Sequence, residues 1–162
     1  MPALWDTSLL SRLAPRSEVL EYVLDRFADG APVAAAAPSV LEIAYGYQRR
    51  AGESRRHAAM LAWFRDLMMD RTLTVVAFDR HAALVAGRLR GVIPHAPPAR
   101  RDRRSKTMRQ ASWLIDIQIA ATAFAGGYDV ATQNRADFEP LAMTLAQLYP
   151  RTQALEIAGG PF

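Results

Sequence analysis

Four acidic residues are placed where they could work as a set. Asp6 directly follows the apolar stretch Ala3-Leu4-Trp5, Glu42 lies within PSVLEIAYGY at 38–47, Asp116 interrupts WLIDIQIAATA, and Asp137 falls in TQNRADF together with Asn134. Carboxylates gathered at one place repel, by roughly 1–3 kcal/mol per pair at ~5 Å for dielectrics between water and a protein surface. A divalent cation reverses that sign. Mg²⁺ and Mn²⁺ prefer carboxylate and water oxygens, and such an ion can activate water against a phosphodiester. Each acid also has an ordinary reading. Asp6 can cap a helix beginning at Thr7. Ser39 and Glu42 have capping-box spacing. Asn134 and Asp137 can cap a helix as well. Asp116 near a helix start suits the helix dipole, yet an acid within so apolar a run needs a partner or a metal.

The elements that must position these residues follow from periodicity. Short apolar strands are expected at 3–5, 33–36, 73–77 and 128–131, with a fifth near 154–157. Helices are expected between them: after Asp6, over 18–28, from Pro38-Ser39 to 51, over 53–69, over 79–89, over 113–125 and within 137–148. Gly126-Gly127 ends the helix that carries Asp116. Repeated β–α units predict an α/β fold, a single domain over 1–162 with a short, mostly parallel central sheet and helices on both faces. In such sheets ligands bind beyond the carboxyl ends of the strands. Asp6, Glu42 and Asp137 follow strands. Asp116 starts a helix that returns antiparallel to the sheet, so all four acids can reach one edge.

Composition narrows the chemistry. The chain has 162 residues, 51% of them hydrophobic, with no cysteine and three scattered histidines, His57, His81 and His95. Disulfides, thiolate metal sites and cysteine nucleophiles are excluded. No apolar run approaches the ~18–20 residues of a membrane span, and the expectation is a soluble, cytoplasmic protein. The excess positive charge is concentrated. Arg100, Arg101, Arg103, Arg104, Lys106 and Arg109 face a single acid, Asp102, in a Pro- and Arg-rich loop expected over 91–111. That cluster suits phosphate contacts.

WDTSLLSRL at 5–13, PSVLEIAYGY at 38–47 and LIDIQIAATAFAGGYDVATQNRADF at 114–138, in this order and separation, resemble the PIN-domain family, specifically VapC-type toxins of bacterial toxin–antitoxin pairs. The resemblance spans nearly the whole chain, and its last stretch is the most specific. It implies a metal-dependent endoribonuclease that uses Mg²⁺ or Mn²⁺ and leaves a 5′-phosphate and a 3′-hydroxyl. It implies metal ligation by Asp6, Asp116, Glu42 and Asp137. Many members carry an acid where this chain has Asn134, so the fourth ligand stays open between Asp137 and a water held by Asn134. Ser8, Thr132, Arg100, Arg101, Arg103 and Arg104 are the substrate-binding candidates, with Thr7 beside them. The resemblance also implies a small cognate antitoxin and a homodimer. The alternative is an RNA-binding PIN-like module with impaired catalysis, favoured by Asn134. An Asp-nucleophile phosphotransfer domain is disfavoured, because no second Asp stands two residues after Asp6 and the only lysine is Lys106.

Overall fold

The computed structural model describes residues 2–97 and 105–161. Five short parallel strands form one sheet: β1 (Ala3–Trp5), β2 (Ala34–Ala36), β3 (Thr74–Val76), β4 (Asp129–Thr132) and β5 (Ile157–Gly159), in the order β3-β2-β1-β4-β5. The register pairs Leu4 with Ala34 and Val130, and Trp5 with Ala35 and Ala131. Side chains alternate across a strand, and two buried clusters show that alternation. Leu4, Ala34, Ala36 and Val130 join one cluster, whereas Trp5, Ala35 and Ala131 join the other.

The second face is covered by α1 (Thr7–Leu10), α2 (Glu18–Ala28), α3 (Ala37–Ala51) and α4 (Arg55–Met69), through Leu9, Leu10, Val19, Val23, Val40 and Phe64. The first is covered by α5 (Arg80–Val92), α6 (Lys106–Gly126) and α7 (Arg135–Leu148), through Leu89, Trp113, Ile117, Phe138 and Leu141. Strands buried on both faces explain the unbroken apolar runs, such as the three alanines of β2. Connections move outward in one direction through β2 and β3, then in the other through β4 and β5. The direction therefore reverses between β1 and β4, which is where open α/β sheets place their ligands.

Three expectations change. The helix carrying Asp116 begins at Lys106, not at 113, because Ser105 caps it: its Oγ accepts from Met108 N–H at 3.2 Å. Asp116 is consequently about ten residues into α6 and owes nothing to the dipole at its start. The 91–111 loop is shorter than expected, since α5 runs to Val92 and α6 starts at Lys106. Its proline-rich beginning is tied to α6: Gln110 Nε2 donates to Pro94 O (2.8 Å) and Trp113 Nε1 to Ile93 O (3.0 Å). Arg100, Arg101, Arg103 and Arg104 lie outside the described residues. The fifth strand comes at Ile157–Gly159, two to three residues later than expected, where Val130, Ala131 and Thr132 pair with Ile157, Ala158 and Gly159.

Candidate active site

Asp6 occupies the point where the sheet reverses direction. Its backbone N–H continues the β1–β4 ladder onto Ala131 O (3.1 Å), and its side chain turns into the start of α1. It is a helix cap, as its position suggested, with Oδ1 accepting from Leu9 N–H at 3.1 Å. It is also more than a cap. Ser8 Oγ donates to Oδ1 at 2.7 Å, and Thr132 Oγ1, from the carboxyl end of β4, donates to Oδ2 at 2.7 Å. Asp6 as a whole is 3% exposed. Burial pushes its pKa above the ordinary aspartate value, against the lowering effect of the Ser8 and Thr132 hydroxyls and the Leu9 and Ser8 amides. Among the described residues no cationic side chain contributes to that balance. A buried carboxylate held only by neutral donors is the kind of group that a cation stabilises.

The hydrogen bonds extend beyond Asp6. Ser8 Oγ accepts from Gln133 N–H (3.0 Å) and Thr132 Oγ1 accepts from Asn134 N–H (2.8 Å). Asn134 in turn donates through Nδ2 to Asp137 Oδ2. The chain Asp6–Thr132–Asn134–Asp137 thus links the ends of β1 and β4 to the first turn of α7. Asn134 holds the capping position of α7, but its side chain makes no capping bond. Ser8 and Thr132, singled out as substrate contacts, spend their hydroxyls on orienting Asp6.

Glu42 is half-buried and lies on α3. The capping-box alternative for Glu42 is overturned: α3 starts at Ala37 with Pro38 in its first turn, so Ser39 is already inside the helix. Ser39 Oγ and Thr7 Oγ1 are buried with no hydrogen-bond partner among the described residues. Both follow strand ends, and neither signal was legible in the sequence beyond the residue type. Glu42 instead forms part of the wall of a cavity of about 390 Å³ together with Tyr45, Arg49, Arg50 and His57. Asp116 is half-buried, one residue before the buried Ile117. About ten residues of helix rise ~15 Å, and the four residues of β4 span ~13 Å. Because α6 leads into the amino end of β4, these lengths carry the chain at Asp116 toward the carboxyl side of the sheet. Among the described residues no three Asp, Glu or His side chains come together closely enough to cage a metal. A second cavity of about 400 Å³, lined by Trp5, Tyr22 and Arg26 among others, opens at the amino edge and has none of the four acids in its wall.

No family model and no curated protein matches the sequence. Solved structures do match in fold. DNA-bound VapBC from Salmonella typhimurium aligns over 98% of both chains at 18% identity with a TM-score of 0.62. VapBC2 from Rickettsia felis, bound to a fragment of its promoter DNA, aligns over 98% of both at 15% identity and 0.58. VapBC-5 from Mycobacterium tuberculosis aligns over 98% of both at 21% identity and 0.55. The chain is an α/β protein with a PIN-like fold. In particular, it has the fold found in VapBC toxin–antitoxin complexes, over 98% of its length.

Proposed function

We propose that this chain is a metal-dependent endoribonuclease and the toxin of a toxin–antitoxin pair. The observation that carries the reading is Asp6: a buried carboxylate with a raised pKa, clamped by Ser8 and Thr132 where the sheet reverses direction. The VapBC likeness supports the toxin assignment and a small antitoxin partner.

The donor set fits one kind of ion. A closed cage needs several protein ligands at once, which the described residues do not gather. Mg²⁺ is typically held by one or two carboxylates, keeps several waters and completes its shell with substrate phosphates. Asp6 would be its main anchor, with Asp116, Glu42 and the Asn134–Asp137 pair supplying further oxygens. When bound, Mg²⁺ or Mn²⁺ lowers the pKa of a water and neutralises charge on the phosphodiester. The protein's own contribution is orientation. Ser8 and Thr132 fix both oxygens of Asp6, and Asn134 fixes Asp137. The arginines of 100–104 add phosphate attraction for RNA.

The test is incubation of the purified chain with end-labelled total RNA, with Mg²⁺, with Mn²⁺ and with a chelator. Metal-dependent fragments ending in 5′-phosphate and 3′-hydroxyl are expected. Cleavage indifferent to the chelator would overturn the mechanism. One observation favours a second reading, an RNA-binding module with impaired catalysis: the Asn134 amide occupies Asp137, and no three-acid group forms among the described residues. Binding without cleavage in any metal would select it.

A further inference from the structure

Asp6 accepts hydrogen bonds from Ser8, Leu9 and Thr132. The Asn134–Asp137 pair joins this arrangement through a backbone bond, Asn134 N–H to Thr132 Oγ1. The direction in which α7 leaves that point decides where the Asp137 carboxylate stands. Arg135, next after Asn134, makes two bonds that bear on this direction. Its Nε donates to Glu139 Oε1 at 3.1 Å, one turn further along α7, and its Nη1 donates to the Ile157 carbonyl at 2.6 Å.

Sheet topology makes that carbonyl available. β5 is the last strand in the order, so one of its sides is an open edge. Glu156 O faces β4 and accepts from Val130 N–H at 2.9 Å. The next carbonyl along the strand, that of Ile157, faces the opposite way, and Arg135 takes it. The first turn of α7 is thereby fastened to the edge strand. β5 is itself seated beside the Asp6 clamp. Gly159 pairs with Thr132. At Gly160 an added Cβ would overlap Leu9 Cδ2, and Leu9 is fully buried, so the chain passes Leu9 with no room for a side chain. The Leu9 amide is one of the donors to Asp6. We infer that Arg135 is a positioning residue: through the Ile157 carbonyl it sets the Asn134–Asp137 pair against the Asp6 clamp, with β5 as the common reference. In this role it touches neither RNA nor metal. The inference rests on the nuclease reading for what the pair does, but the fixing of the pair is a property of the metal-free chain.

The test has a metal-free arm and a metal arm. In chelator, the side-chain amide protons of Asn134 report by NMR on its bond to Asp137. Arg135→Ala is expected to move those resonances toward the positions of a free asparagine amide and to speed their exchange with water. Arg135→Lys can still donate to the Ile157 carbonyl and should keep most of the original signature. Glu139→Gln still offers Nε an acceptor and should leave it unchanged. Arg135 and Glu139 are both exposed, so melting should shift by no more than about 4 °C in each variant. In the second arm Mn²⁺ binding is followed by EPR. Groups that orient metal ligands are worth roughly 10- to 100-fold in affinity, and Arg135 acts one step further out, so Arg135→Ala should weaken Mn²⁺ binding about 10-fold. That loss should vanish in an Asp137→Asn background, because residues that act through one another do not contribute additively. Unchanged Mn²⁺ affinity in Arg135→Ala, an equal loss in both backgrounds, or an Asn134 amide indifferent to Arg135→Ala would each overturn the inference. An unsubstituted chain that binds no Mn²⁺ and cleaves no RNA would refute the nuclease reading, and the amide readout would then still decide whether Arg135 holds the pair.

Discussion

Replacing Thr132 by valine removes one of the two hydroxyls, with that of Ser8, that join the ends of β1 and β4. The variant loses the 2.7 Å bond to Asp6 Oδ2 and the 2.8 Å bond from Asn134 N–H. Asn134 is exposed, so water can take over its amide at little cost. The loss at Asp6 is larger, since hydrogen bonds to charged groups contribute roughly 1.5–3 kcal/mol. For a domain of this size each kcal/mol moves Tm by roughly 2–4 °C, so the variant should melt about 3–12 °C lower. The pH dependence is specific. The pKa of Asp6 is already raised by burial, and removing a donor raises it further. Between its unfolded and folded pKa values the native state binds more protons than the unfolded chain. Stability therefore falls as pH rises through that window, and the full cost is present above the folded pKa. The Thr132→Val deficit should be greatest at neutral pH and should shrink in acid, where Asp6 is protonated in both proteins. Urea melts in chelator, at neutral and acidic pH, check this in wild-type and Asp6→Asn backgrounds. Asparagine offers Thr132 only a neutral hydrogen bond, about 1 kcal/mol, so the penalty should drop to that level and lose its pH dependence. Equal penalties in both backgrounds at neutral pH would refute the argument.

Asp6→Asn should stabilise the metal-free chain at neutral pH, because it removes a buried charge that burial disfavours, while RNA cleavage falls at least ~100-fold, about 2.7 kcal/mol of barrier; melts and initial rates on one preparation check both. Asp116→Asn should likewise lose cleavage with the fold intact, and a variant with normal magnesium dependence would remove Asp116 from the site. Glu42→Gln should abolish most activity with stability within ~0.5 kcal/mol, as the residue is half-buried and caps nothing; Asp137→Asn and Asn134→Ala should be milder, and Asp137→Asn as inactive as Asp6→Asn would make Asp137 a full ligand. Replacing Arg100, Arg101, Arg103 and Arg104 by Ser should flatten the slope of log affinity against log salt by up to roughly 3, at ~0.7 per phosphate contact for single strands, as read by anisotropy across a salt series.

The parallel sheet was legible because its strands are buried on both faces and leave short apolar runs, as at Leu4, the β2 alanines and Val130. What misled was local punctuation. The pattern Ser39-Val40-Leu41-Glu42 has the spacing of a capping box, yet Pro38 suits a first helical turn, and α3 begins at Ala37 ahead of the serine. At α6 the error ran the other way. Lys106 to Ser112 is polar apart from Met108 and Ala111 and shows no apolar face, so it read as loop. The segment is helical because Ser105 caps it and because Gln110 and Trp113 reach back to the carbonyls of Pro94 and Ile93. Those partners lie in a proline-rich stretch whose composition gives no hint of the pairing.

The site divides in the same way. Two of the three bonds to the Asp6 carboxylate are local: Ser8 and the amide of Leu9 follow it within three residues, and any helix starting at Thr7 would supply them. The third comes from Thr132, 126 positions away, and exists only if β4 lies beside β1. Sequence could rank Asp6 as a site residue, but only the strand order assigns Thr132 the task of holding it. The arrangement couples chemistry to topology. The bond between Thr132 and Asp6 closes the β1–β4 pairing at the carboxyl edge, beside the backbone bond from Asp6 N–H to Ala131 O. Anything that loosens this strand pair, one of the two at the centre of the sheet, releases Oδ2 of Asp6. Loss of catalytic geometry and loss of sheet integrity should then set in together on partial unfolding. Cleavage lost over the same denaturant range as the sheet would bear out that coupling, and cleavage that persists after the sheet has melted would refute it.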